Sequence, residues 1–224
     1  MEDLTLIIPA KFESESLPIF FKEINHLKCK KIIILEENDY QTINAIKTFE
    51  NIKIHYQKNK GYGSAIIEGI KITSTKFFCI INADGSMNPN YLDKMKHKVD
   101  SYNLDFLFAS RYEKPGGGSD DDNLITYIGN YFFTKFGNIF FSLQITDILY
   151  TYVMGKTSCF NDLNIGSNDF TLCVEFPIKA KRQGYRLGTI PSHERNRIGG
   201  KKKVNAFKDG LLILIKMIKM FVQK

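Results

Sequence analysis

Four apolar runs in this chain end abruptly on side chains that can do chemistry. Thr5 to Pro9 runs into Ala10 and Glu13. Lys31 to Leu35 runs into Glu36 and Glu37. Phe77 to Ile81 runs into Asn82, Ala83 and Asp84, and Asp105 to Ala109 runs into Ser110 and Arg111. Three of the four endings carry carboxylates and the fourth carries a guanidinium. Carboxylate oxygens hold hard cations and accept hydrogen bonds, and arginine clamps phosphate oxygens. The combination suits a crevice for a nucleotide and a divalent metal rather than for an apolar ligand.

The elements that would position these residues follow from the periodicity. The runs are continuously apolar, as expected of strands buried on both faces. Between them, Leu17 to Leu27, Tyr40 to Phe49, Gly61 to Ile72 and Asn90 to Val99 have helical spacing. Strand and helix alternate, with Ile52 to Tyr56 as a further strand. The expected fold is α/β, a mostly parallel Rossmann-like sheet with helices on both faces. Ligands of such sheets bind beyond the carboxyl ends of the strands, where the chemistry-bearing residues fall.

After Gly116-Gly117-Gly118 and Asp120 to Asp122 the pattern changes. Leu124 to Phe141 reads as a long apolar helix whose Thr126, Asn130, Thr134 and Asn138 form one stripe at i+4 spacing; it is expected to be buried or to lie against lipid. Phe170 to Gln183 reads as a helix, Tyr185 to Ile190 as a strand, Ser192 to Lys203 as a basic loop and Phe207 to Gln223 as a final helix. On that helix Lys208, Asp209, Lys216, Lys219 and Gln223 fall within an arc of about 100°, the rest being mostly apolar, which suits an interfacial helix.

The 224 residues, 43% of them hydrophobic, suffice for one sizeable domain. The net charge of +7 is uneven: from Arg195 onward nine Lys and Arg face one acid, Asp209, so the remainder is close to neutral. A basic tail suits an anionic partner. The lysines interleave with aliphatic rather than stacking aromatic residues, which argues against nucleic acid. Cys29, Cys79, Cys159 and Cys173 form no CxxC pair and no zinc spacing, so reduced thiols are expected. MEDLTLIIPA lacks a basic n-region, and no apolar stretch reaches the ~18 residues of a membrane span. The expected location is the cytoplasm, peripheral on the inner face of the cytoplasmic membrane.

Six segments in register, PAKFESESL, ILEEND, KNKGYGSA, NADGSMNP, ASRYEKPGGG and IPSHERNRIGGKKKVNAFKDG, resemble the family 2 glycosyltransferases of GT-A fold. Within that family the resemblance is to the branch like dolichol-phosphate mannose synthase and bacterial polyprenyl-phosphate sugar transferases. The resemblance spans Leu4 to about Ile215. It implies one domain, with residues 1–112 binding a nucleotide sugar, 113–206 forming the acceptor half and 207–224 an amphipathic helix. It implies an inverting hexosyltransferase that uses Mg²⁺ or Mn²⁺. Pro9, Ala10 and Glu13 match the family's first motif, where Phe12 replaces the usual Asn. Glu36-Glu37 replaces an Asp pair that holds base and ribose, with Glu37 assigned to the donor. Gly61 and Gly63 match the turn that approaches the nucleotide. Asn82-Ala83-Asp84 stands for the D-x-D metal motif, so Asp84 is the matching metal ligand and Asn82 offers a neutral amide oxygen to metal or donor.

The resemblance also implies that Arg111, Arg195, Arg197 and Lys201 face the acceptor phosphate and donor diphosphate. A lipid phosphate needs no general base, which favours a polyprenyl phosphate acceptor. A sugar hydroxyl of a surface polysaccharide would need one, for which Asp147 and Glu175 are the candidates. A non-catalytic nucleotide-sugar-binding protein is the reading that Phe12 and Asn82 favour. A membrane surface met by the last helix and a homo-oligomer are the further partners expected.

Overall fold

The structure, a computed structural model, describes residues 1–200, 203 and 205–223. The apolar runs become β1 (Leu4–Pro9), β2 (Lys30–Leu35), β3 (Lys53–Tyr56), β4 (Phe77–Ile80) and β5 (Phe106–Ser110). With β7 (Val153–Lys156) and β8 (Leu187–Pro191) they form a seven-stranded sheet of order β3-β2-β1-β4-β7-β5-β8. All pairings are parallel except those of β7, which runs antiparallel between β4 and β5. The expected parallel sheet is therefore present, with one reversed strand inserted.

Period-two alternation on buried strands gives each face its own core. Leu4, Leu6 and Ile8 pack with Leu17, Phe20 and Phe21 of α1 (Ser16–Ile24), Ile46 of α2 (Tyr40–Ile46) and Met95 of α4 (Leu92–Ser101). Ile7, Ile34, Phe78 and Ile80 face the other way, against Ile66 and Ile70 of α3 (Tyr62–Lys71), Phe160 of α6 (Thr157–Asp162) and Phe176 of α7 (Leu172–Arg182). Both faces are thus covered by helices.

β7 and α6 have no counterpart in the sequence reading. β7 is short, and Gly155 breaks its apolar run; a Cβ there would lie 2.4 Å from the Phe106 ring, so the glycine admits a close strand crossing. The two-residue strands β6 (Gly118–Ser119) and β9 (His193–Glu194) pair in parallel at the sheet's carboxyl edge. Because β7 and β8 belong to the main sheet, both halves of the chain build it. Two long helices, α5 (Leu124–Phe141) and α8 (Ala206–Val222), pack on the α7 side.

The long helix α5 is inverted relative to an ordinary surface helix. Its polar stripe points inward: Asn130 and Thr134 are buried, and the stripe binds the segment 145–149. Asn130 accepts from the Leu149 N–H at 3.1 Å, Thr134 Oγ1 from the Ile148 N–H at 3.2 Å, and Asn138 pairs with both backbone groups of Ile145. Leu124, Ile125, Ile128, Tyr131 and Ile139 are exposed instead. α8 buries Ile213, Met217 and Met220 and exposes Phe207, Leu211, Ile218 and Val222. Phe140 meets Phe221 with ring centroids 5.2 Å apart, which joins the two apolar faces. Lys216 departs from the expected lysine stripe, because it turns in to Glu175 at 2.9 Å. Among the described residues no helix is long and apolar enough to cross a membrane.

Candidate functional site

The carboxyl ends of the strands border a cavity of about 640 Å³. Pro9, Ala10, Phe12 and Glu13 from the end of β1, Glu36 after β2, Gln57 after β3 and Gly61 before α3 line one end. Asn82, Ala83 and Asp84 after β4 line its middle. Arg111, Asp121, Asp122 and Glu194 line the other end, with Thr126 and Asn130 of α5 and Ile213 of α8. The sheet order makes this arrangement continuous, since β3, β2, β1 and β4 are successive neighbours.

Glu13 is fixed at three points. Its N–H donates to Thr42 Oγ1 at 2.9 Å, its Oε2 accepts from Ser16 Oγ at 2.6 Å, and its Oε1 pairs with Lys203. Glu36 pairs with Lys11 at 2.7 Å. Glu37, the expected donor ligand, is exposed and does not line the cavity, whereas Glu36 does. A turn after a strand sends successive side chains apart, and which of two adjacent acids faces inward is not written in their order. Gly61 lines the cavity and has φ +117°, a backbone that favours glycine. Both glycines are also packed against the turn 167–169: a Cβ would lie 2.1 Å from the Asn168 carbonyl oxygen at Gly61 and 2.2 Å from the Ser167 carbonyl oxygen at Gly63.

Asp84 is nearly buried. Its Oδ1 accepts from the Ser86 N–H at 3.0 Å and Ser86 Oγ at 2.8 Å. Its Oδ2 faces Arg197 Nη1 at 3.6 Å. Asn82 Oδ1 accepts from the Tyr62 hydroxyl at 2.9 Å, and burial pushes that phenol up from its usual range. Among the described residues no group of three or more His, Cys, Asp or Glu is gathered to hold an ion. One carboxylate with an adjacent amide oxygen still fits Mg²⁺ or Mn²⁺, because such ions complete their shell with water and substrate phosphates.

The expected basic loop after β8 is tied down along much of its described length. Its described part is zipped along the Asp84 turn. The Arg195 N–H donates to the Ser86 carbonyl at 2.9 Å, the Ile198 N–H to the Asp84 carbonyl at 2.8 Å, and Glu194 bridges to Met87. This strap carries Arg197 to Asp84 and to Asp121 Oδ2 at 3.3 Å. Arg195 lies outside the cavity lining. It donates to the Gly85 carbonyl at 2.6 Å and pairs with Glu23 at 2.9 Å, so it holds the turn in place. Lys201 lies outside the described residues.

Arg111 reaches the cavity but is already paired. It meets Asp147 bidentately at 2.8 and 3.0 Å and Glu194 at 3.1 Å. Burial alone would lower its pKa, but Asp147 and then Glu194 hold it well above the usual value. Asp147 is 1% exposed and also accepts from the Asn130 amide at 2.6 Å. Its oxygens are filled by an ion pair rather than poised as a base.

Glu175 is 2% exposed and outside the cavity lining. It accepts from Ser167 N–H and Oγ and the Gly166 N–H, and pairs with Lys179 and Lys216. Burial alone would raise its pKa, but Lys179, Ser167, Lys216 and the Gly166 N–H lower it to about 2. It clamps α7, the 166–167 turn and α8 together. Tyr62, Asp121 and Glu194 were missed by the sequence reading, because their place at the cavity depends on distant partners such as Asn82, Arg197 and Arg111.

A family model described as Glycosyl transferase family 2 matches residues 5–163. Uncharacterized glycosyltransferases of Mycobacterium bovis and Mycobacterium tuberculosis are each 23% identical over 212 residues, covering 95% of this chain and 94% of the relative. Among solved structures, glucosyl-3-phosphoglycerate synthase from M. tuberculosis in complex with UDP superposes with a TM-score of 0.75 at 8% identity, covering 97% of this chain and 79% of that one. The same enzyme with Mn²⁺, UDP and phosphoglyceric acid gives 0.74 at 10% identity, covering 97% and 78%. At such identity the likeness to the solved structures is one of fold.

Proposed function

The chain belongs to glycosyl transferase family 2, and from that premise we propose that it transfers a hexose, with inversion, from a nucleotide sugar to a polyprenyl phosphate at a membrane surface. The observation that carries the acceptor is the inverted helix α5. A helix that turns its polar stripe inward and its Leu, Ile and Tyr outward is matched to an apolar neighbour rather than to water. Thr126 and Asn130 on its inner side line the cavity, as does Ile213 of α8. The apolar platform therefore borders the site where transfer would occur.

The nucleoside lies over the ends of β1, β2 and β3, and the diphosphate lies at Asp84. Asp84, with Asn82 beside it, would hold Mg²⁺ or Mn²⁺. The ion, when bound, neutralises charge on the departing diphosphate as a Lewis acid. Arg197 is carried by the strap to the same place and adds a second cation. An oxygen of the lipid phosphate attacks the anomeric carbon while the bond to the nucleoside diphosphate breaks. That nucleophile is an anion at neutral pH and needs no base. The filled hydrogen-bonding shells of Asp147 and Glu175 support this choice over a hydroxyl acceptor.

The test is transfer of label from UDP-glucose and GDP-mannose to a short polyprenyl phosphate in vesicles with Mn²⁺ or Mg²⁺. Label is expected in the organic-extractable fraction, and Asp84→Ala should reduce it by about a hundredfold or more. Label appearing only in water-soluble products would refute the lipid acceptor. A rate untouched by Asp84→Ala would refute the assignment of that carboxylate.

A further inference from the structure

Phe12 combines two features that stability alone does not favour. The residue is 62% exposed at the cavity wall, and its backbone is left-handed at φ +52°. A non-glycine residue is unfavourable there, and Asn is one of the few side chains that tolerate it. The conformation is imposed by its surroundings. The Phe12 N–H donates to Asp39 Oδ2 at 2.7 Å, and the next N–H, of Glu13, donates to Thr42 Oγ1. The turn is thus kept while an aromatic ring replaces the side chain suited to it. Strain of this kind, held in place at a cavity, points to function.

The position of the ring along the cavity names its ligand. Asp84 marks the diphosphate, at the end of β4. The next strand, β1, is about 4.8 Å away and β2 about twice that. Phe12 stands just beyond β1, on the side away from the Arg111 end. A ribose and base attached to a diphosphate at Asp84 extend in that direction. We propose that Phe12 is a donor-binding residue that stacks its ring on the nucleobase of the donor. This rests on the donor reading given above. A base offers a π-face of any identity, so the ring contributes affinity for the nucleoside without reading its edge. Lys11 Nζ lies over one face of the ring, 5.7 Å from its centroid, so the base would take the other face.

The experiment is calorimetric titration of UDP, GDP and inorganic diphosphate, with Mn²⁺ present, into the native chain and the Phe12→Asn, Phe12→Ala and Phe12→Trp variants. Phe12→Asn should raise the melting temperature of the ligand-free protein by relieving the backbone. It should bind the preferred nucleoside diphosphate about tenfold more weakly, as should Phe12→Ala. Inorganic diphosphate should bind all variants alike, and Phe12→Trp should keep native nucleotide affinity. Native nucleotide affinity in Phe12→Asn would overturn the stacking and leave the donor reading standing. A native chain that binds inorganic diphosphate as tightly as UDP and GDP would also overturn it. Binding of neither nucleotide by the native chain would remove the donor reading and this inference together.

Discussion

Asp147 and Glu175 were expected to be candidates for the same role, and their surroundings give them different ones. Asp147 sits under Arg111 with Asn130 completing its shell, so removing its charge leaves a buried guanidinium short of a partner. Asp147→Asn should therefore lower stability by about 3 kcal/mol or more, read from denaturant unfolding, while transfer per folded molecule stays within a few-fold of native. Native stability with lost transfer would instead make Asp147 a base. Glu175 has a folded pKa of about 2, below its unfolded value. A depressed carboxylate stabilises fully above the unfolded pKa and loses that contribution as pH falls through the folded one. Its share, about 3 kcal/mol at neutral pH, should fade between about pH 5 and pH 2. Glu175→Gln should be less stable than native at pH 7, and the gap should narrow over that window. A gap that is constant with pH would mean the clamp does not depend on the ionised form.

The strap and the Asp84 turn act as one element. Gly85 has φ +75°, and a Cβ on it would lie 2.3 Å from Ile198 Cδ1. Gly85→Ala strains the turn and pushes the strap away together. We expect a loss of about 1 to 3 kcal/mol in stability and weaker Mn²⁺ binding, measured by titration in the presence of UDP. Unchanged Mn²⁺ affinity would mean that the strap does not set the position of Asp84. The same coupling explains Arg195: it looks like an acceptor ligand in the sequence, yet it is the pin that joins strap to turn. α5 shows the converse. Its i+4 polar stripe was plain in the sequence, but the stripe's direction depended on the segment 145–149, whose backbone groups it satisfies.

At the scale of the molecule, charge and apolar surface lie together. The tail from Arg195 carries nine Lys and Arg against one acid while the remainder is close to neutral, and α8 joins α5 in an exposed apolar face. The two features together suit an anionic lipid surface, with lysines near headgroups and Leu and Phe below them. The chain should co-sediment with phosphatidylglycerol vesicles at 50 mM salt and much less at 500 mM, because screening shortens the reach of the lysines. Replacing Leu211 and Phe221 by Glu should abolish sedimentation without changing the far-UV spectrum. Sedimentation that survives both the salt and the substitutions would place the contact elsewhere.

The sequence by itself determined the α/β architecture, because continuously apolar runs alternating with helical periods leave few other ways to bury both faces of a sheet. It also put Asp84 and Glu13 at one edge, since strand ends in a parallel sheet share it, while Arg197 was drawn to the same crevice only through the family resemblance. The tertiary structure decided which of Glu36 and Glu37 faces inward, which arginine is a pin, and that Arg111, Asp147 and Glu175 are already paired. Those outcomes depend on partners tens of residues distant, such as Asp147 for Arg111 and Lys216 for Glu175. The reversed strand β7 was hidden for a related reason: its place is set by the gap between β4 and β5, not by a strong pattern of its own.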